Sequence, residues 1–181
     1  MPTLKLAENP PQRSAWKDVL SAAGSGARLP TLRIYDDTFP LLVGVGPKRF
    51  DEESVREMAD AYEPYFRGAE RYAVLTATPR DAVLPDARAR RLMTDWLNSP
   101  RVRDCTRRLC VGTATIVPST VTRGALTALL WFWTPGSPLK PVATVDEGLD
   151  YCFERMRIER VKLSDEAAVR KLVGERLRDI V

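Results

Sequence analysis

Five short runs rich in apolar and β-branched residues constrain this chain more than any other feature: Thr31 to Asp36, Leu41 to Val45, Tyr72 to Leu75, Val111 to Val117 and Pro141 to Thr144. Segments of helical period separate the last four. Strands joined through helices need crossover connections, so these strands are expected to run parallel in a mixed, mostly parallel sheet with helices packed on it. The first two runs are joined by a short turn at Asp36-Asp37. The expected order is β-β-α-β-α(α)-β-α-β-α, an α/β class, preceded by a leader over residues 1–30 and followed by a tail helix over residues 159–181. The α/β domain itself spans residues 31–158.

The helical segments carry their own start and stop signals. Asp51 is placed to cap a helix whose inner stripe is Val55, Met58, Ala59, Tyr62, Tyr65 and Phe66; Pro64 predicts a kink or an early end near Glu63, and Gly68 supplies the stop. Ala89, Leu92, Met93, Trp96 and Leu97 form the stripe of a second helix, with an i,i+4 pair Arg91–Asp95 outside it. Ser99-Pro100 restarts a third, with Val102, Cys105 and Leu109 inward. Pro118-Ser119-Thr120 opens a fourth. Thr144-Val-Asp-Glu147 is a capping box ahead of Leu149, Cys152, Phe153 and Met156. Ser164 is expected to cap the tail helix, which pairs Glu166 with Arg170. In the leader, Trp16, Val19, Leu20 and Ala23 share one helical face behind Ser14, a segment too short to be stable alone.

Composition removes whole classes of chemistry. The 181 residues include no histidine, which excludes a Ser-His-Asp or Cys-His nucleophile pair, an HExxH zinc site and histidine ligation of haem. Any catalysis would rest on carboxylates, Lys, Tyr or backbone groups, so no enzyme activity, metal or cofactor is expected. Cys105, Cys110 and Cys152 lack CxxC spacing and read as small buried hydrophobes. No apolar stretch approaches the roughly 20 residues of a membrane span, and the first residues carry no targeting signal, so a cytoplasmic protein is expected. The net charge of +4 is uneven. Residues 80–108 hold 8 arginines against 4 aspartates, but the arginines alternate with Asp95 and Asp104 outside two helices, the pattern of a solvated face rather than a nucleic-acid surface.

The element order, with Arg90-Arg91, the stretch Thr120-Val-Thr-Arg-Gly124 before Ala125-Leu-Thr-Ala-Leu-Leu-Trp131-Phe132, and Thr144-Val-Asp-Glu147 ahead of the last domain helix, resembles the SpoIIAA-like or STAS-type domains of bacteria, relatives of anti-sigma-factor antagonists and stressosome proteins. The resemblance covers roughly residues 31–158. It implies a non-catalytic signalling or scaffold domain that acts through protein contacts, with a phosphorylatable Ser or Thr in the loop after the third strand. Thr76 and Thr78 are the hydroxyls available there. A phosphate at Thr78 would add about −1.5 to −2 charge beside the candidate anion contacts Arg80, Arg88 and Arg91.

Other motifs have plainer readings. Gly44-Val-Gly46-Pro-Lys48 lacks the spacing of a phosphate loop, and Asp36-Asp37 and Asp51-Glu52-Glu53 suit a turn and a helix N-terminus. Arg123 sits in a first helical turn without dipole benefit and is a candidate anion or partner contact. Trp131, Phe132 and Trp133 cannot all face one core, because helical neighbours diverge by about 100°. The tail helix covers the excess, or a homodimer buries it. The expected function is therefore protein contact with self-association, the alternative being a module that holds an apolar small molecule or lipid between sheet and helices.

Overall fold

The computed structural model describes residues 32–83, 85–129 and 134–181. The leader segment with Trp16, Val19, Leu20 and Ala23, and the aromatic run Trp131, Phe132 and Trp133, lie outside the described residues. Strands β1 (Arg33–Tyr35), β2 (Leu41–Val45), β3 (Tyr72–Ala77), β4 (Cys110–Ile116) and β5 (Leu139–Val142) form a sheet in sequence order. β1 is antiparallel to β2, and every later pair is parallel. The α/β mixed sheet expected from the strand spacing is thus the observed one.

Helices α1 (Glu52–Arg67), α2 (Ala87–Asn98) and α3 (Pro100–Leu109) cover one face; α4 (Thr120–Leu129) lies beside β5; α5 (Val145–Ile158) and α6 (Glu166–Leu177) cover the other. The α5 face is apolar throughout. Leu41, Val43, Val45, Leu75, Ala114, Ile116 and Val142 pack there against Leu149, Cys152, Phe153 and Met156, with Val169, Val173 and Leu177 of α6 closing the layer. Residues 159–181 therefore carry part of the main core. On the opposite face Leu42, Tyr72, Val74 and Leu109 meet Met58, Tyr62 and Tyr65, and Phe66, Val102, Cys105 and Trp96 extend that layer.

Capping follows the expected chemistry at several helix starts. Asp51 accepts from the Ser54 N–H at 2.9 Å, Ser99 from Val102 at 3.4 Å, and Thr144 from Glu147 at 3.2 Å. Four details depart from expectation. α1 runs through Pro64 to Arg67, because a proline in the last turn costs only one backbone bond there. Asp165, not Ser164, caps α6, accepting from Ala168 at 2.9 Å, since a carboxylate offers the stronger acceptor at a positive helix end. Glu166 pairs with Arg157, while Arg170 spans Asp146 and Asp150 of α5, so tertiary partners replace the i,i+4 pair. No Arg91–Asp95 bridge forms among the described residues. The three cysteines are free and buried, and burial pushes the Cys152 thiol up to about 12, which keeps it protonated.

Candidate functional site

The parallel strands β2 to β5 all end on one side of the sheet. Residues 46–51, 78–83, 85–86, 117–119 and 143–144 emerge there. Thr76 belongs to β3 and not to the following loop. It continues the period-two alternation that puts Tyr72, Val74 and Thr76 on the α1 face. Pairing register aligns Gly44, Thr76, Thr115 and Pro141 in one row across four strands. Thr76 Oγ1 donates to Thr115 Oγ1 at 3.0 Å and lies 3.4 Å from the Ala114 carbonyl oxygen. A half-buried hydroxyl engaged with a neighbouring strand is a poor acceptor for a phosphoryl group. Of the two candidate threonines, Thr76 is therefore structural.

Thr78 is exposed, one residue beyond the strand. Two residues on, the Arg80 N–H donates to the Ile180 carbonyl at 3.1 Å, and the guanidinium donates to the Val181 carbonyl at 2.5 Å. The loop is thus tied to the segment that follows α6. A second tie runs to the loop after β2: Lys48 pairs with Asp81 at 2.6 Å, and the Val83 N–H donates to the Lys48 carbonyl at 2.7 Å. The lysine beside Asp81 holds that carboxyl below its ordinary range.

The arginines expected to meet a common anion are not gathered. Arg80 is held by the chain end, Arg88 pairs with Glu52 across to α1, and Arg91 is exposed on α2. Arg123 folds back on its own loop. Its Nη1 donates to the Val117 carbonyl at 2.7 Å and the Pro118 carbonyl at 3.2 Å, which fixes the turn out of β4 rather than reaching for an outside anion. Asp36 accepts from the Tyr65 hydroxyl, Asp37 pairs with Arg176, and Asp51 caps α1. Among the described residues no group of His, Cys, Asp or Glu is arranged to hold a metal, and no helix is long and apolar enough to cross a membrane.

Two exposed apolar side chains share this end of the sheet, Val83 at 64% and Val121 at 84% exposure. Neither belongs to a helical stripe or a strand alternation, so periodicity passed over both. The carbonyls of Ile180 and Val181 were equally hidden, because backbone acceptors leave no mark in a sequence.

No family model and no curated protein matches the chain. A solved structure similar to it is that of an uncharacterized protein of the DUF3478 family from Shewanella loihica PV-4, described as having a SpoIIAA-like fold. Identity is 14%, the match covers 71% of this chain and 99% of that one, and the TM-score is 0.49.

Proposed function

We propose that this chain is a non-catalytic protein-contact domain whose partner surface is the end of the sheet where β2, β3 and β4 finish, with phosphorylation of Thr78 as its switch. The observation that carries the reading is the tie of Arg80 to the carbonyls of Ile180 and Val181, beside an exposed Thr78 hydroxyl. A phosphate there brings about −1.5 to −2 charge and strong acceptors within two residues of the guanidinium, so it competes for Arg80 with the Val181 oxygen. Arg80 then turns to the phosphate, and the chain end is released. Val83 and Val121 supply apolar contact area on the same surface. Self-association through Trp131, Phe132 and Trp133 belongs to the same reading and rests on the sequence argument alone.

The test is affinity capture with wild type, Thr78→Glu and Thr76→Val as baits. The reading expects the captured set to change with Thr78→Glu and to stay the same with Thr76→Val. Identical sets with all three baits would remove the switch.

A second reading, a ligand held between sheet and helices, draws on the row Gly44, Thr76 and Thr115. A Cβ at Gly44 would lie 3.5 Å from the Tyr62 hydroxyl, so the glycine leaves the row open beside that group. Native mass spectrometry separates the readings, since only the second expects a bound small molecule.

A further inference from the structure

At the opposite end of the sheet, where Arg71 bonds Glu159 beside the start of β3, α5 ends and the chain turns toward α6. The turn is a Schellman closure: the Val161 N–H donates to the Met156 carbonyl at 2.8 Å, and the Arg160 N–H to the Arg157 carbonyl at 3.2 Å. Such a closure needs a left-handed residue, and Arg160 supplies it at φ 57°. Glycine adopts that conformation freely, whereas an L residue adopts it against a steric penalty. Arg160 thus places a long cationic side chain at a position whose backbone favours glycine.

The same turn borders an open groove of about 800 Å³. Phe153 and Met156 lie beneath it, buried in the main core, so its accessible apolar lining is Val161 and Leu163, and Arg160 and Lys162 stand among its charged residues. Arg157 and Glu166 also line it but pair with each other at 3.3 Å. Neither Arg160 nor Lys162 has an acidic partner among the described residues. The groove thus combines apolar floor with an uncompensated charge of +2.

We infer that this groove docks an acidic amphipathic segment of a protein partner, with apolar side chains on the half-buried Val161 and Leu163 and carboxylates at Arg160 and Lys162. Charge selects the occupant. The chain's own residues 1–31 carry four basic residues and two acidic ones, the wrong sign for this rim. The open side selects a macromolecular segment over a small molecule, which pockets of this volume usually enclose on most sides. The site lies at the other end of the strands from Thr78, so it stands or falls independently of the switch.

The experiment uses the full chain and a fluorescein-labelled peptide of four Glu-Leu-Leu-Glu repeats, read by anisotropy beside the same peptide with Lys for Glu. Wild type is expected to bind the acidic peptide and not the basic one, with affinity falling as salt rises. The variant Arg160→Gly/Lys162→Ser is expected to bind about tenfold more weakly. Its unfolding midpoint stays level or rises, because glycine suits the left-handed turn, so lost binding cannot be lost folding. Equal affinity of wild type and variant, or equal binding of both peptides, would overturn the inference. So would binding to vesicles of 30% phosphatidylglycerol in phosphatidylcholine without binding to the acidic peptide.

Discussion

Gly148 marks the closest approach of α5 to the sheet. A Cβ there would meet Leu75 Cδ1 at 2.5 Å and Val142 Cγ2 at 3.4 Å. Gly148→Ala is therefore expected to overpack the main core and lose about 1–3 kcal/mol of stability in urea unfolding. Asp37 makes a contrasting case. Arg176 holds it through two bonds of 2.8 and 2.7 Å while stacking 4.1 Å from the centre of the Tyr35 ring. The hydrogen bonds from Arg176 lower the Asp37 carboxyl below its ordinary 3.8. A lowered folded-state value means the stabilisation is complete above the unfolded-state value and is lost as pH falls through the folded one. Asp37→Asn should then cost about 1 kcal/mol near neutral pH, the upper range for a partly exposed pair. That difference should shrink as pH falls below 3.8 and vanish once pH is below the lowered folded-state value, as thermal unfolding of the two proteins across pH would reveal. Neither residue announced its role in the sequence. Gly148 lies inside a helical stripe, and the partner of Asp37 is far away along the chain.

At the scale of elements, period carried most of what the sequence disclosed. Alternation in Thr31 to Asp36 and the stripes Val55–Phe66 and Leu149–Met156 located strands and helices, because burial on one face imposes those spacings directly. Ends were harder to read. Thr76 is polar, yet its hydroxyl finds Thr115 on the next strand, so β3 continues to Ala77. Arg170 had an acidic residue four positions before it, yet it bonds Asp146 and Asp150 on the neighbouring helix. Local pairing rules cannot weigh a tertiary competitor. α6 carries the largest consequence. Val173 and Leu177 are fully buried against the sheet layer, so the helix behaves as a core element. Leu177→Ala should cost about 2–5 kcal/mol, the range for a buried leucine whose cavity does not collapse. A loss under 1 kcal/mol in denaturant unfolding would mean α6 is an appended tail.

Over the whole molecule, the two ends of the sheet differ in chemistry. Where the parallel strands finish, Thr78, Arg80, Val83 and the last residues of the chain form one connected surface. Where they begin, the α5 closure and its unpaired cations border an apolar groove. The first of these was half legible: the loop and its threonines stood out, while the backbone acceptors that engage Arg80 did not. The switch is the central claim, and amide hydrogen exchange at Arg80 tests it most directly, because that N–H donates to the Ile180 carbonyl. With phosphothreonine installed at position 78, the Arg80 amide should exchange at least about tenfold faster than in the unmodified chain, matching loss of one docked segment. Unchanged protection at Arg80 in the phosphorylated protein would contradict the account.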